Sequence, residues 1–251
     1  MQLARGIRNV VAFLTILPVG MDRDGFTLAA EYMVLFPIIG ALIGLLGGAF
    51  VWILEFFFPS LIAAALGLGI LLLVNGAQHV DGLLDFGDGI MCHGSRARKL
   101  RVMRDPQTGA GGFTLGWIVL SATAFAIASL SQGMVVRALI FSEAAASFSM
   151  VFQTWAGKPA HRGMFSFFSA AMRSNGNARI LASSIILLLV GFVTLPGIGL
   201  IVTLSAVAVP LVILSISNHA FGGITGDVLG ATNELTRLTL LLVIVAGMRW
   251  V

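Results

Sequence analysis

Continuous apolar runs near residues 32–57, 60–76, 112–130, 134–156, 180–194, 198–217 and 236–251 leave this chain few ways to fold. Most approach the ~20 residues that a helix needs to cross the hydrocarbon core of a bilayer. Within that core each backbone N–H and C=O must be paired inside its own segment or in a closed barrel. The runs do not alternate with polar residues, so they predict helices. With 58% hydrophobic and only 10% charged residues, and a mean hydropathy of +1.00, an ordinary soluble domain is excluded. The expectation is a single all-α domain over residues 1–251, a polytopic membrane bundle of about seven transmembrane helices. The short fifth run and the sixth are separated by Pro196-Gly197 and can alternatively be read as one re-entrant pair.

Ahead of the spans, residues 1–19 place Arg5 and Arg8 beside Val10, Val11, Phe13, Leu14, Ile16 and Leu17. Pro18 ends the run and no small-residue cleavage site follows, so it reads as an amphipathic interfacial helix rather than a removed signal peptide. The first span carries Gly40, Gly44, Gly47 and Gly48, a pattern for close helix packing within the chain or between chains. Cys92 is the sole cysteine, which excludes an intrachain disulfide and a thiolate metal cluster.

The formal net charge of +4 does not point to nucleic acid, because the basic residues lie between apolar runs. With the N-terminus inside, thirteen of the fifteen Lys and Arg residues fall in segments 1–31, 77–111, 157–179 and 218–237. Positive loops stay cytoplasmic. The polar segments are therefore expected at the cytoplasmic face of the cell membrane.

Two of those segments carry acids at helical spacing behind an Asn and a His. Asn75–Gly89 reads NGAQHVDGLLDFGDG, with His79 and with Asp81, Asp85 and Asp88 at i, i+4 and i+7, within roughly 60° on one helical face. Like charges so close repel unless a cation joins them, and carboxylate oxygens suit Mg²⁺. Ser217–Glu234 reads SNHAFGGITGDVLGATNE and repeats the plan, with Asn218 and His219 ahead of Asp227 and Glu234 seven residues apart. Between them, RARKLRVMRDPQTGAGG carries Arg98, Lys99, Arg101 and Arg104 before Asp105-Pro106 and a glycine-rich turn, the residue types that grip phosphate. Glu143 and Arg137 fall inside the fourth run, six apart, so each needs a partner elsewhere or a polar cavity. His161 and Arg162 lie in the GKPAHRGMFSFF loop, within reach of a substrate, although a lone loop histidine is more often simply solvated.

These motifs, with FLTILPV and FPIIGALIG near the N-terminus, resemble the cobalamin-5′-phosphate synthase family, the adenosylcobinamide-GDP ribazoletransferases. The matching stretches run in order from residue 13 to 234; one departure is Ala110, where the family commonly has an aromatic residue. The resemblance implies a Mg²⁺-dependent membrane enzyme. It would join α-ribazole, or its 5′-phosphate, to adenosylcobinamide-GDP and release GMP, late in cobalamin biosynthesis. It assigns Asp81, Asp85 and Asp88 to metal, with Asp227 and Glu234 completing or supporting a second ion. His79, or an aspartate left free of metal such as Asp88, takes the hydroxyl proton. Asn75, Arg98, Arg101, Arg104, Asp105, Asn218, Thr225 and Asn233 contact substrate. The expected partners are these substrates and the lipid bilayer, with no nucleic acid; association with other pathway enzymes or a second copy stays open. Two other readings are a CDP-alcohol phosphatidyltransferase, whose acidic motif is spaced differently, and a cation-coupled transporter, whose charges belong nearer mid-bilayer.

Overall fold

The computed structural model describes residues 2–248 and is all-α. Its elements are α1 (Gln2–Leu14), α2 (Gly25–Glu31), a 3₁₀ turn (Met33–Leu35) leading into α3 (Phe36–Leu54), α4 (Ser60–Val74), α5 (Gln78–Met91) and α6 (Arg96–Val102). They continue as α7 (Ala110–Ala128), α8 (Gln132–Ala156), α9 (Met164–Arg173), α10 (Gly176–Thr194), α11 (Gly199–Ala220) and α12 (Gly226–Gly247). Six helices are long and apolar enough to cross a membrane, and the bent pair α4–α5 makes a seventh crossing if counted as one. The chain is thus a polytopic membrane bundle. α10 and α11 have 19 and 22 residues, each long enough to cross alone, so the re-entrant alternative falls away.

α8 is the axis, with 78% of its span buried; α12 follows with 67%. α3 lies on α8 through the glycines expected to mediate close packing. A Cβ at Gly44 would sit 2.2 Å from the Leu139 carbonyl oxygen, at Gly40 2.4 Å from that of Glu143, and at Gly48 2.8 Å from the Val136 Cα. Only hydrogen fits there, and the contact lies within the chain.

The seventh span begins ten residues earlier than the apolar run suggests, at Gly226 rather than 236. Thr225 explains the start: its hydroxyl accepts the Val228 N–H at 3.2 Å, an N-cap that commits the following residues to helix. Asp227, Glu234 and Arg237 therefore belong to the span itself. Arg249, which with Arg137 makes up the two basic residues outside the four polar segments, lies beyond the described residues.

α1 presents Gly6, Asn9, Val10 and Leu14 inward and leaves Leu3 and Ile7 exposed. The loop behind it closes on Asp22, which accepts from Arg8 at 2.5 Å, Asn9 at 2.8 Å and Arg5 at 3.3 Å. The Asn9 amide first, then the Arg8 guanidinium, hold the Asp22 carboxyl below its ordinary value of 3.8.

Candidate active site

The chain turns by 95° between α4 and α5. Gly76 (φ +62°) and Ala77 (φ +54°) both take left-handed conformations at the corner, which for alanine costs roughly 1–2 kcal/mol. The N-terminal segment braces it: the Gln78 side chain donates to the Phe13 carbonyl at 3.0 Å, and Ile16 N–H to that of Val74 at 2.8 Å. This corner sends α5 across α12 instead of onward along α4.

Where α5 meets α12, Gly82 faces Gly230. A Cβ on Gly82 would stand 2.8 Å from the Asp227 carbonyl oxygen, and one on Gly230 3.0 Å from that of His79. The close approach brings the two acidic stretches together. The charge of Asp227 acts on Asp85, as do those of Asp81 and Asp88. Asp81 is exposed, while Asp85 and Asp227 are half-buried. None of the four is in an ion pair among the described residues. Nor do any three Asp, Glu, His or Cys side chains there close into a ready coordination shell. The donor set nevertheless fits a hard divalent cation: oxygen-only ligands whose mutual repulsion has no cationic side chain bonded to it.

Asp88 has a second occupation. Its two carboxylate oxygens accept the Gly109 N–H at 2.7 Å and the Gly112 N–H at 2.8 Å, the unpaired donors at the start of α7. The RDPQTGAGG turn is thereby pinned to α5, and Arg104 comes within electrostatic reach of Asp227. Asp105 accepts the Gln107 N–H at 3.0 Å, an Asx turn that shapes the same loop. Arg98 and Arg101 project from α6 as exposed side chains.

A fourth element arrives unannounced by any motif. Residues 158–160 run alongside 222–224, with Ile224 N–H donating to Lys158 at 2.8 Å and Ala160 N–H to Ile224 at 3.0 Å. This carries His161 to within electrostatic reach of Asp227. Nδ1 of His161 lies 2.9 Å from the Arg162 carbonyl oxygen. A carbonyl only accepts, so Nδ1 carries the proton and Nε2 of the neutral ring is the open acceptor.

Most of the other expected site residues lie elsewhere, Thr225 being the exception. His79 is buried on the opposite side of α5 from Asp81 and Asp88, against α12, with Nδ1 unpartnered. Asn75 is buried at the end of α4, and Asn218 is half-buried near the end of α11; neither side-chain oxygen has a partner. Thr225 is the buried cap described above, and its hydroxyl also donates to Asp227 Oδ2 at 3.2 Å.

Glu234 and Asn233 belong to a different cluster, fully inside the bundle. Arg237 donates from Nη1 to Glu234 Oε2 at 2.5 Å, from Nε to Glu143 Oε1 at 2.5 Å, from Nη2 to Glu143 Oε2 at 3.2 Å and from Nη2 to Asn233 Oδ1 at 3.4 Å. Arg237 is 0% exposed, so this guanidinium is a core ion and not a loop charge. It is also the partner that Glu143 requires; Arg137 stays exposed near the start of α8. The signal was present in the spacing, since Asn233, Glu234 and Arg237 share one helical stripe once α12 is started at its Thr225 cap.

The family model described as cobalamin-5-phosphate synthase matches residues 6–245. A protein of Methanocella arvoryzae named adenosylcobinamide-GDP ribazoletransferase is 34% identical over 96% of this chain and 95% of its own length. Proteins of the same name from Methanosarcina barkeri, at 32% over 92% of this chain and 88% of the relative, and from Pyrococcus abyssi, at 30% over 95% and 97%, are similar throughout. No solved structure matches. The acidic faces of α5 and α12, the pinned α7 turn and a family match from one end of the chain to the other lead to one assignment: the chain belongs to the cobalamin-5-phosphate synthase family.

Proposed function

We propose that this chain joins α-ribazole, or its 5′-phosphate, to the cobinamide-linked phosphate of adenosylcobinamide-GDP and releases GMP. The relatives' shared name supports the substrates. The observation that carries the chemistry is the meeting of Asp81, Asp85 and Asp227 at the Gly82–Gly230 contact, unpaired and at the end of an apolar bundle. Such acids at a membrane protein's polar end serve function rather than stability.

In this reading Asp81, Asp85 and Asp227 hold Mg²⁺, which supplies Lewis-acid stabilisation of charge developing at the transferred phosphate. Arg104, with Arg101 and Arg98 behind it, binds the diphosphate. Asp88 keeps the Gly109–Gly112 backbone in place beside it. A ribazole hydroxyl oxygen forms the new bond to phosphorus as the bond to the GMP oxygen breaks. The hydroxyl proton passes to His161 Nε2, a role for which buried His79 is badly placed. General-base assistance of this kind is worth ~10²–10⁴-fold. Holding both reactants at one α5–α12 junction supplies the rest through positioning.

The test uses purified protein in detergent with adenosylcobinamide-GDP and α-ribazole, following GMP and cobalamin together, with Mg²⁺ and after chelation. Equal amounts of both products, lost on chelation and restored by Mg²⁺, are expected; folded protein that makes neither sinks the proposal. The site is assigned to the cytoplasmic side of the cell membrane. Cys92, the sole cysteine and half-buried beside α5, reports on this: an impermeant thiol reagent should label it in inside-out vesicles and spare it in right-side-out ones.

A further inference from the structure

We infer that a cavity between the end of α5, the start of α6 and the end of α11 binds the phosphodiester headgroup of an anionic membrane lipid. The cavity measures about 550 Å³ and is lined by Ile90, Arg96, Lys99, Ser215, Ile216 and His219, among others, with no acidic residue in its wall. It is separate from the Asp81–Asp227 opening and uses none of the groups assigned to the reaction.

Its donors are set by the fold. Arg96 Nε donates to the His219 carbonyl at 3.0 Å, which fixes the guanidinium plane at the cavity wall. The terminal nitrogens of Arg96 make no hydrogen bond among the described residues and keep the paired geometry that suits phosphate oxygens. Lys99 spends its N–H groups on the carbonyls of Cys92 at 2.6 Å, Ile90 at 3.2 Å and Gly89 at 3.3 Å. It closes the last turn of α5 and contributes positive charge to the cavity rather than a donor. Ser215 and His219 stand exposed on the facing helix.

The surroundings indicate a lipid rather than a free phosphate. Val212, Ser215, Ile216 and His219 share one face of α11, and Leu211, Val212 and Ile216 are 50%, 57% and 38% exposed. Only 33% of the α11 span is buried in the bundle. An apolar stripe thus climbs the outside of α11 and ends at the basic cavity, the arrangement of acyl chain below headgroup.

Protein in neutral phosphatidylcholine vesicles is compared with protein in vesicles containing about 20 mol% phosphatidylglycerol, scoring retained lipid by native mass spectrometry and the thermal unfolding midpoint. One phosphatidylglycerol per chain is expected, with a raised midpoint. Arg96→Gln should weaken retention about five-fold, the loss expected for one basic residue at a membrane surface. Ser215→Trp, which places a bulky uncharged side chain in the cavity, should weaken retention more than Arg96→Gln does. Arg137→Gln removes a charge elsewhere and should change nothing. Equal loss in Arg137→Gln, or undiminished binding in Ser215→Trp, overturns the site. An equal rise in midpoint with millimolar inorganic phosphate in neutral vesicles overturns the lipid as occupant. Turnover does not enter any of these readouts, so a failed ribazole transfer leaves the result intact.

Discussion

Asp227 and Glu234 stand seven residues apart on one helix, on nearly one face, and meet opposite fates. Asp227 sits at the first turn of α12, half-buried among other acids with no bonded cation. Glu234 lies about 10 Å further along the axis, 0% exposed and held by Arg237. Spacing determines the azimuth of a side chain but not its depth. In a membrane bundle depth decides whether a carboxylate is left for a ligand or neutralised within the fold. A buried charge without a partner is expensive, so the deep acids come with a guanidinium, while the shallow ones remain available.

Breaking the deep cluster should have the largest effect. Arg237→Met leaves Glu143 and Glu234 uncompensated and should cost ~3–5 kcal/mol, seen as loss of the monodisperse folded peak in detergent. The triple variant Glu143→Gln, Glu234→Gln, Arg237→Met should recover most of it. If the single variant folds normally, the deep cluster is not structural. At the shallow end, Asp227→Asn should lower turnover at least ~10²-fold, about 2.7 kcal/mol of barrier, with the unfolding midpoint nearly unchanged. Glu234→Gln should show the reverse pattern, destabilised but active per folded molecule. An inactive and fully stable Glu234→Gln would erase the distinction.

Smaller effects sharpen the boundary. Asp88→Ala removes the acceptor for two α7 amides and should cost about 1 kcal/mol, with faster hydrogen exchange confined to residues near 109–112. Smallest is the pH response of the N-terminal clasp. Because the Asp22 carboxyl is held below 3.8 in the fold, its contribution is complete above that value and lost as pH falls through the lower, folded one. Hydrogen exchange at the Asp22 and Gly25 amides, taken relative to the unfolded-chain rate at each pH, should speed up only in that acidic window, and Asp22→Asn should show the same loss of protection at neutral pH.

The helical class, the approximate number of crossings and the convergence of the two acidic stretches were legible in the chain, because bilayer length and helical period act locally. Close α3 packing was legible as well, from Gly40, Gly44 and Gly48. The start of α12 was not. The apolar run begins only at 236 and Gly222-Gly223 reads as a turn, while the cap that starts the helix at Gly226 is a single hydroxyl, Thr225. From that displacement follows the misplacement of Arg237 among loop charges; the pairing of Glu234 with Asp227 came from their seven-residue spacing, which carries no information on depth. His161 was weighed only as a loop residue, because the backbone pairing of Lys158 and Ala160 with Ile224 joins segments some sixty residues apart and has no sequence motif. Asp88 was legible as an acid on the right face. That both its oxygens serve the α7 amides depends on how closely Gly87 lies on Gly112, which is a property of packing.

The corner at Gly76-Ala77 has a further consequence. α4 has 15 residues, about 22 Å of helix, against a hydrocarbon core of ~30 Å. A span this short is matched to the bilayer by local thinning or by α5 completing the crossing beyond the corner. Where the bilayer thins around α4, its thickness acts on the position of the corner and of the acids that follow it. Lengthening the acyl chains around the protein should slow turnover without altering any residue.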